Sequence, residues 1–347
     1  MKINIVIPTI LMGGGLRVAF QYTNDWVERG HDVLVYVPML YEEVDRKIKV
    51  RTSIANTFLR GTKIEWYDCK FPVKKAVNVS NQFIRNADIT IAVGPCSARR
   101  VSRLNEKKGK KVLFIQGHEV NEKKTNLEDI DRTYQYGMHM VVITKYMRDY
   151  IYELTGEKAE VIYNGIPENE FISVPKIRNE QKTIIMLANF SHYKGGYNGL
   201  EVLKRVKKKY SVRCVLYGLT KDEHIPDDFE FYQQPSRKKL MQLYREADIC
   251  LFPSVEEGWG LIVTEAMANK CAVVGNRTGC LREFGEHEIN ALITDEPDYT
   301  QMEKYIELLL NNQELLITLQ ENGYLEACKM KRNMSFEHFN QFLEDLK

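Results

Sequence analysis

The sequence predicts an α/β protein with two doubly wound domains, and three observations carry that prediction. Short continuous apolar runs recur, as in Ile3-Asn4-Ile5-Val6-Ile7 and Ile249-Cys250-Leu251-Phe252, and runs of this length suit strands buried on both faces of a parallel sheet. Helix-length amphipathic stretches separate them, the alternation of an α/β fold. The pattern stops at a polar stretch over residues 174–182 and then restarts, and 347 residues is room for two domains at ~150 residues each.

Residues 3–8 form the opening strand. Gly13-Gly14-Gly15 then leads into an amphipathic helix from Leu16 to Glu28, which Arg29-Gly30-His31 ends; a glycine just past the last periodic residue is a common helix stop. Asp32-Val33-Leu34-Val35-Tyr36-Val37 is the next strand, with others expected at 63–67, 88–93, 111–115 and 140–143. Asn164-Gly165-Ile166-Pro167 opens a connector. Beyond it, strands are expected at 183–187, 212–217, 230–232, 249–252 and 272–275, with helices over 196–209, over 237–246 and from Leu261. Residues 302–326 and 335–347 read as terminal helices. The domains that follow are 1–165 and 166–330, with a terminal helix in 331–347 expected to return to the first. Two such domains facing each other make a central cleft, the usual place for a ligand of open parallel sheets.

Composition removes several classes. Hydrophobic residues make up 44% and charged residues 28% of the chain, ordinary for a soluble enzyme. No apolar run approaches the ~18 residues of a membrane-spanning helix, and the N-terminus enters a strand too soon for a signal peptide. The seven cysteines are scattered with no Cys-x-x-Cys pair, which indicates neither a zinc ribbon nor a disulfide framework and fits a reduced cytoplasm. Net charge is +2, but residues 1–165 hold 26 Lys and Arg against 19 Asp and Glu. Arg99, Arg100, Arg103, Lys107, Lys108, Lys110 and Lys111 supply much of that excess. A solvated face accounts for it, with an anionic membrane surface as the functional reading; the chain lacks the motifs of a nucleic-acid binder.

The densest chemistry lies in residues 253–268, Pro-Ser-Val-Glu-Glu-Gly-Trp-Gly-Leu-Ile-Val-Thr-Glu-Ala-Met-Ala. Glu257 and Glu265 bracket a Gly258-Trp259-Gly260 turn that follows a buried strand and opens a helix at Leu261. Glycines let backbone amides approach a ligand, and a helix N-terminus favours anions. Two carboxylates beside such a turn can accept hydroxyl hydrogen bonds, which suits a phosphorylated sugar.

This segment, followed by Ala272-Val273-Val274-Gly275, resembles the signature of glycosyltransferase family 4. The resemblance runs from about residue 3 to 295. Gly13-Gly14-Gly15-Leu16-Arg17 looks like that family's N-terminal glycine loop, and Gly30-His31-Asp32-Val33 like its second strand entry. Val142-Ile143-Thr144-Lys145-Tyr146-Met147, Val161-Ile162-Tyr163-Asn164-Gly165-Ile166 and residues 240–254 are similar to its later motifs. The resemblance implies a GT-B fold of two Rossmann-like domains, the N-terminal one for the acceptor and the C-terminal one for the donor. It implies a cytoplasmic, metal-independent hexosyltransferase that retains anomeric configuration. The donor is a nucleotide-diphosphate sugar, a substrate rather than a cofactor, and the acceptor a glycan or lipid-linked glycan, as in polysaccharide biosynthesis. The basic N-terminal domain would supply peripheral contact with an anionic inner membrane face.

The same resemblance assigns roles. Glu257 is expected at the donor sugar and its developing charge, and Glu265 at the ribose hydroxyls. Lys194 is the cation for the diphosphate, and Gly14, Gly15, Gly258, Trp259, Gly260 and Leu261 line the donor. His118, after Gln116-Gly117 at a strand end, is expected near the reacting centre, with Glu119 beside it. One position departs: Asn189 stands where the family often has Arg, and it cannot supply a charged fork. His192 is the neighbouring base that could compensate.

Other readings stay open. Asp129-Ile130-Asp131 matches the DxD string of metal-dependent transferases, yet it lies in a charged helix-like stretch rather than after a buried strand. The glycine triplet lacks the spacing of a dinucleotide fingerprint. A catalytically silent GT-B binding subunit, or a GT-B nucleotide-sugar epimerase or phosphorylase, shares the architecture.

Overall fold

The apolar runs do become the centres of two sheets. In a computed structural model, the structure describes residues 1–42, 48–50, 64–117, 127–176 and 180–347. Contacts divide the chain into a first unit, Met1–Tyr163 with Ser335–Lys347, and a second, Asn164–Met334. The first division thus falls two residues before the expected boundary, in the Tyr163-Asn164 junction itself.

In the first unit, β1 (Lys2–Val6), β2 (Asp32–Pro38), β5 (Val73–Ala76), β6 (Ile89–Val93), β7 (Lys110–Ile115), β8 (His139–Val142) and β9 (Ala159–Val161) form a parallel sheet ordered β5-β2-β1-β6-β7-β8-β9. A short antiparallel pair, β3 (Leu40–Glu42) and β4 (Ile48–Val50), stands apart. Alternate side chains of the sheet point to opposite faces. Val6, Ala92, Leu113, Ile115 and Val142 pack with Ala98, Val101, Tyr134, Met147 and Ile151 on one face. On the other, Phe114 meets Tyr22 of the helix Gly14–Glu28 and Phe339 of the helix Arg332–Asp345, with ring centroids 5.8 and 5.1 Å away. The returning C-terminal segment therefore completes this core, burying Leu343 and packing Phe339 on Tyr22 and Trp26 of the first helix.

The strand expected at 63–67 is corrected. Ile64 to Tyr67 is turn, Lys63 lies outside the described residues, and β5 takes the sheet edge. Trp66 instead stacks near Phe20 at 5.5 Å and donates its indole N–H to the Ile10 carbonyl at 2.8 Å. Aromatic richness signals burial as strongly as it signals a strand, and here burial wins.

In the second unit, β10 (Thr183–Leu187), β11 (Arg213–Gly218), β12 (Glu230–Gln233), β13 (Ile249–Phe252), β14 (Ala272–Asn276) and β15 (Leu292–Thr294) are parallel in the order β12-β11-β10-β13-β14-β15. Ile184, Met186, Leu216, Leu251 and Val274 pack against Leu200, Leu203, Ile306 and Leu319 from the covering helices. Residues 302–326 are two helices rather than one: Asn312 ends Tyr299–Asn311 and caps Gln313–Cys328, accepting from the Leu315 amide at 3.0 Å. An asparagine favours such a cap over a helix interior.

The strand orders fix where a ligand belongs. Chain order runs outward in both directions from β1 and β6 in the first sheet, and from β10 and β13 in the second. Ligands of open parallel sheets bind beyond the carboxyl ends of the strands at such reversal points. In the second unit, the loops leaving that point carry Lys194 and Glu257.

Candidate active site

The loop after β10 turns at once. Asn189 accepts from the Ser191 amide through Oδ1 at 3.1 Å, a local turn that occupies the position where an arginine was expected. A 3-10 turn over His192–Lys194 follows, with His192 exposed, and Gly195 closes it at φ +62°. A side chain at Gly195 would place Cβ 2.1 Å from the Pro253 carbonyl oxygen, so the turn lies directly on the β13 loop. The Tyr193 carbonyl accepts from the Val255 and Glu256 amides at 2.9 and 3.2 Å. The two loops are one piece.

That stitching brings the charges together. Lys194 Nζ lies 2.6 Å from Glu257 Oε2, with the lysine side chain 20% and the glutamate side chain 9% exposed. Ser254 Oγ donates to the other oxygen, Oε1, at 2.9 Å, and the Glu257 amide donates to Thr278 Oγ1 at 3.1 Å. Asn276, at the end of β14, donates to the Pro253 and Ser254 carbonyls at 3.2 and 3.0 Å. The carboxylate is thus held in one rotamer by a cation and a hydroxyl, on a loop fixed by its neighbours.

Gly258 is half-buried. Gly260, at φ +80°, caps the helix Leu261–Ala268, no side chain caps it, and Leu261 is half-buried in its first turn. The first-turn amides and the helix dipole face the glycine turn, a setting that favours an anion. Trp259 is buried against Phe284, with centroids 6.2 Å apart, and its carbonyl accepts from the Cys280 amide. It shapes the turn from inside rather than presenting a ring to a ligand.

Glu265 is no exposed helix glutamate. Its side chain is 6% exposed, and Oε1 accepts from Arg237 Nη2 at 2.7 Å. The Arg237 fork also grips Glu170, with Nε 2.6 Å from Oε1 and Nη2 on Oε2. Burial by itself would lower the guanidinium's pKa; the Glu265 and Glu170 carboxylates outweigh it and raise it above the ordinary arginine value. Tyr217, near the end of β11, and Tyr244 join hydroxyls at 2.6 Å nearby. Burial first, and neighbouring groups that include Glu265, push both phenols well above the usual range.

The remaining candidates fall elsewhere. Gly14 and Gly15 open the helix Gly14–Glu28 of the first unit, at that sheet's own reversal point; Gly15 packs on Gln116, where a Cβ would come to 3.0 Å. His118 and Glu119 lie outside the described residues. Asp129 pairs with Arg132 at 2.9 Å and Asp131 accepts from Tyr150 at 2.9 Å, both in or beside the helix Leu127–Asp131 rather than at a strand end. In the basic cluster, Lys108 is buried on Asn86 and Lys111 donates to the Asn105 carbonyl, so these two cations serve the fold. None of the seven cysteines forms a disulfide, four of them are buried, and burial pushes the Cys214 thiol up to about 12.

Sequence reading missed Ser254, Thr278, Glu170 and Arg237. Arg237 begins the helix Arg237–Glu246, whose first turn holds no acidic residue, but Lys238 and Lys239 follow it there, so the sequence does not single it out.

Comparison with known proteins agrees with this architecture. Residues 167–326 match the family described as glycosyl transferases group 1. Those residues span nearly all of the second unit and contain Lys194, Arg237, Glu257 and Glu265. An uncharacterized glycosyltransferase of Methanocaldococcus jannaschii is 27% identical over 165 residues, 41% of this chain and 42% of that protein. The O-antigen chain mannosyltransferase RfbU of Salmonella typhimurium is 26% identical over 151 residues, 39% of this chain and 41% of that one. The chain thus aligns with less than half the length of these relatives. Anabaena Alr3699/HepE, solved in complex with UDP, shares the fold with a TM-score of 0.74 at 14% identity, over 99% of this chain and 100% of that one. The fold is GT-B. Among the described residues, no helix is long and apolar enough to cross a membrane.

Proposed function

We propose that this protein is a hexosyltransferase that moves a sugar from a nucleotide-diphosphate sugar to a glycan or lipid-linked acceptor, retaining anomeric configuration without a metal. The observation that carries the reading is the Lys194–Glu257 pair, 2.6 Å apart where the second sheet reverses its order. Breaking the donor's C1–O bond sends its electron pair to a phosphate oxygen, and positive charge grows at the sugar. A lysine cation with helix amides answers the first, and a carboxylate answers the second. The two groups neutralise each other until a substrate separates their tasks. The acceptor oxygen forms the new C1–O bond, and its proton passes to the departing phosphate, so no separate base is required.

Glu265 takes the ribose hydroxyls in this reading, as a buried acidic residue does in dinucleotide folds. The glycine turn and the Leu261 helix start take the phosphates, Gly14 and Gly15 serve donor binding, the first unit serves the acceptor, and His118 is assigned to the reacting centre. The mannosyltransferase name of one relative and the UDP bound by a protein of the same fold support the donor class. A basic first unit supports an anionic or membrane-borne acceptor.

The test is a panel of UDP-, GDP- and ADP-sugars with glycan and lipid-linked acceptors, with and without EDTA. Release of nucleoside diphosphate, and a product of unchanged anomeric configuration by NMR, are expected in both arms. Activity that EDTA abolishes would overturn metal independence, and nucleotide binding without transfer to any acceptor would favour a silent binding subunit.

A further inference from the structure

Glu265 is held by a residue that no motif marks. We propose that Arg237 is a positioning residue for nucleotide recognition, its fork fixing the Glu265 carboxylate in the orientation that accepts ribose hydroxyls. This rests on the reading of Glu265 given above.

Three independent features of the second unit carry it. Arg237 bridges two carboxylates whose side chains are only 6% and 9% exposed, with Glu265 Oε1 at 2.7 Å and Glu170 Oε1 at 2.6 Å. Two buried carboxylates this close would repel and turn apart without a cation between them, so the arginine holds Glu265 in place. Fixing Oε1 also fixes the carboxylate plane, and with it the direction in which the second oxygen accepts.

The scaffold around the pair is locked as well. Asn269 Nδ2 donates to the Glu265 carbonyl at 2.9 Å and to the Glu170 carbonyl at 3.0 Å, tying both backbones to one amide. Glu170 ends the 3-10 turn Glu168–Glu170, just after Ile166 pairs with Lys331 where the chain enters this unit. Finally, Arg237 occupies the first turn of its helix, where a cation is disfavoured by the dipole. Lys238 and Lys239 share that first turn, and it is Arg237 that meets the two buried carboxylates there. Shape-matched forks of this kind fix carboxylates bidentately, as lysine cannot.

The experiment measures binding of UDP, GDP and ADP to the full chain by calorimetry, then the 2′-deoxy counterpart of whichever binds best. Wild type is expected to prefer the ribonucleotide, and Glu265→Gln to lose much of that preference. Arg237→Leu is expected to bring the ribo-to-deoxy ratio towards one and raise donor KM about tenfold, with kcat within about twofold. Arg237→Lys should restore part of the ratio. A folded Arg237→Leu variant with wild-type ratio and KM overturns the proposal. Should that variant fail to fold by thermal melting, Glu170→Gln decides: a lowered ratio supports the positioning role and an unchanged one refutes it. Wild type that binds no nucleoside diphosphate, or Glu265→Gln with an unchanged ratio, refutes the Glu265 reading itself rather than the arginine's part in it.

Discussion

Glu257 answers to three groups at once: Lys194 on one oxygen, Ser254 on the other, and Thr278 through its amide. A mostly buried carboxylate is costly unless such partners hydrogen-bond it. Ser254 is therefore more than a loop residue. Its hydroxyl donates to a charged acceptor, a bond worth ~1.5–3 kcal/mol. Ser254→Ala is expected to lower thermal stability and to cut kcat/KM for the donor by about tenfold, since the Glu257 carboxylate then keeps Lys194 but loses the hydroxyl on its other oxygen. Unchanged kcat/KM would show that the hydroxyl does not set the carboxylate's position. The two motif glutamates were legible in the sequence because their spacing around a glycine turn is local. Arg237 and Glu170 were not, because their meeting depends on a loop and a helix start 67 residues apart in the chain.

At the scale of elements, the site depends on two loops lying flat on each other. Gly195 makes this possible, through φ +62° and the absence of a Cβ that would come 2.1 Å from the Pro253 oxygen. Gly195→Ala is expected to cost at least ~2 kcal/mol by urea unfolding, from left-handed strain plus displacement of the loop. Lys194 would move with it, so transfer should fall more than stability does. An alanine variant with native stability would contradict the packing argument. Most strands of the second unit could be read directly, since an apolar run between helices has few other places to go. The turn at 64–67 could not, because Trp66 and Tyr67 promise a strand by composition and are used instead to cover Phe20. The break at Asn312 was also hidden: an asparagine inside a helical pattern does not declare whether it caps or merely interrupts.

For the whole molecule, each unit owns a core, and the last helix belongs to the first one. Phe339 is fully buried, its ring 5.0 Å from Tyr22 and 5.2 Å from Trp26. Phe339→Ala is expected to cost the first unit ~3–5 kcal/mol and to lower only one of two transitions in a calorimetric melt. A single cooperative transition lowered throughout would show that the units do not unfold separately. The alternation of strands and helices made the two-unit plan legible, and the reversal of strand order, which only the structure displays, says where each unit works. The claim that matters most is that the second unit turns over a nucleotide sugar at the Lys194–Glu257 pair. Its most direct test is the kcat of Glu257→Gln with the donor that the wild type prefers. The isosteric change keeps the shape and removes the charge, so kcat should fall at least ~100-fold with KM little altered and the melting curve preserved; kcat within twofold of wild type would contradict the account.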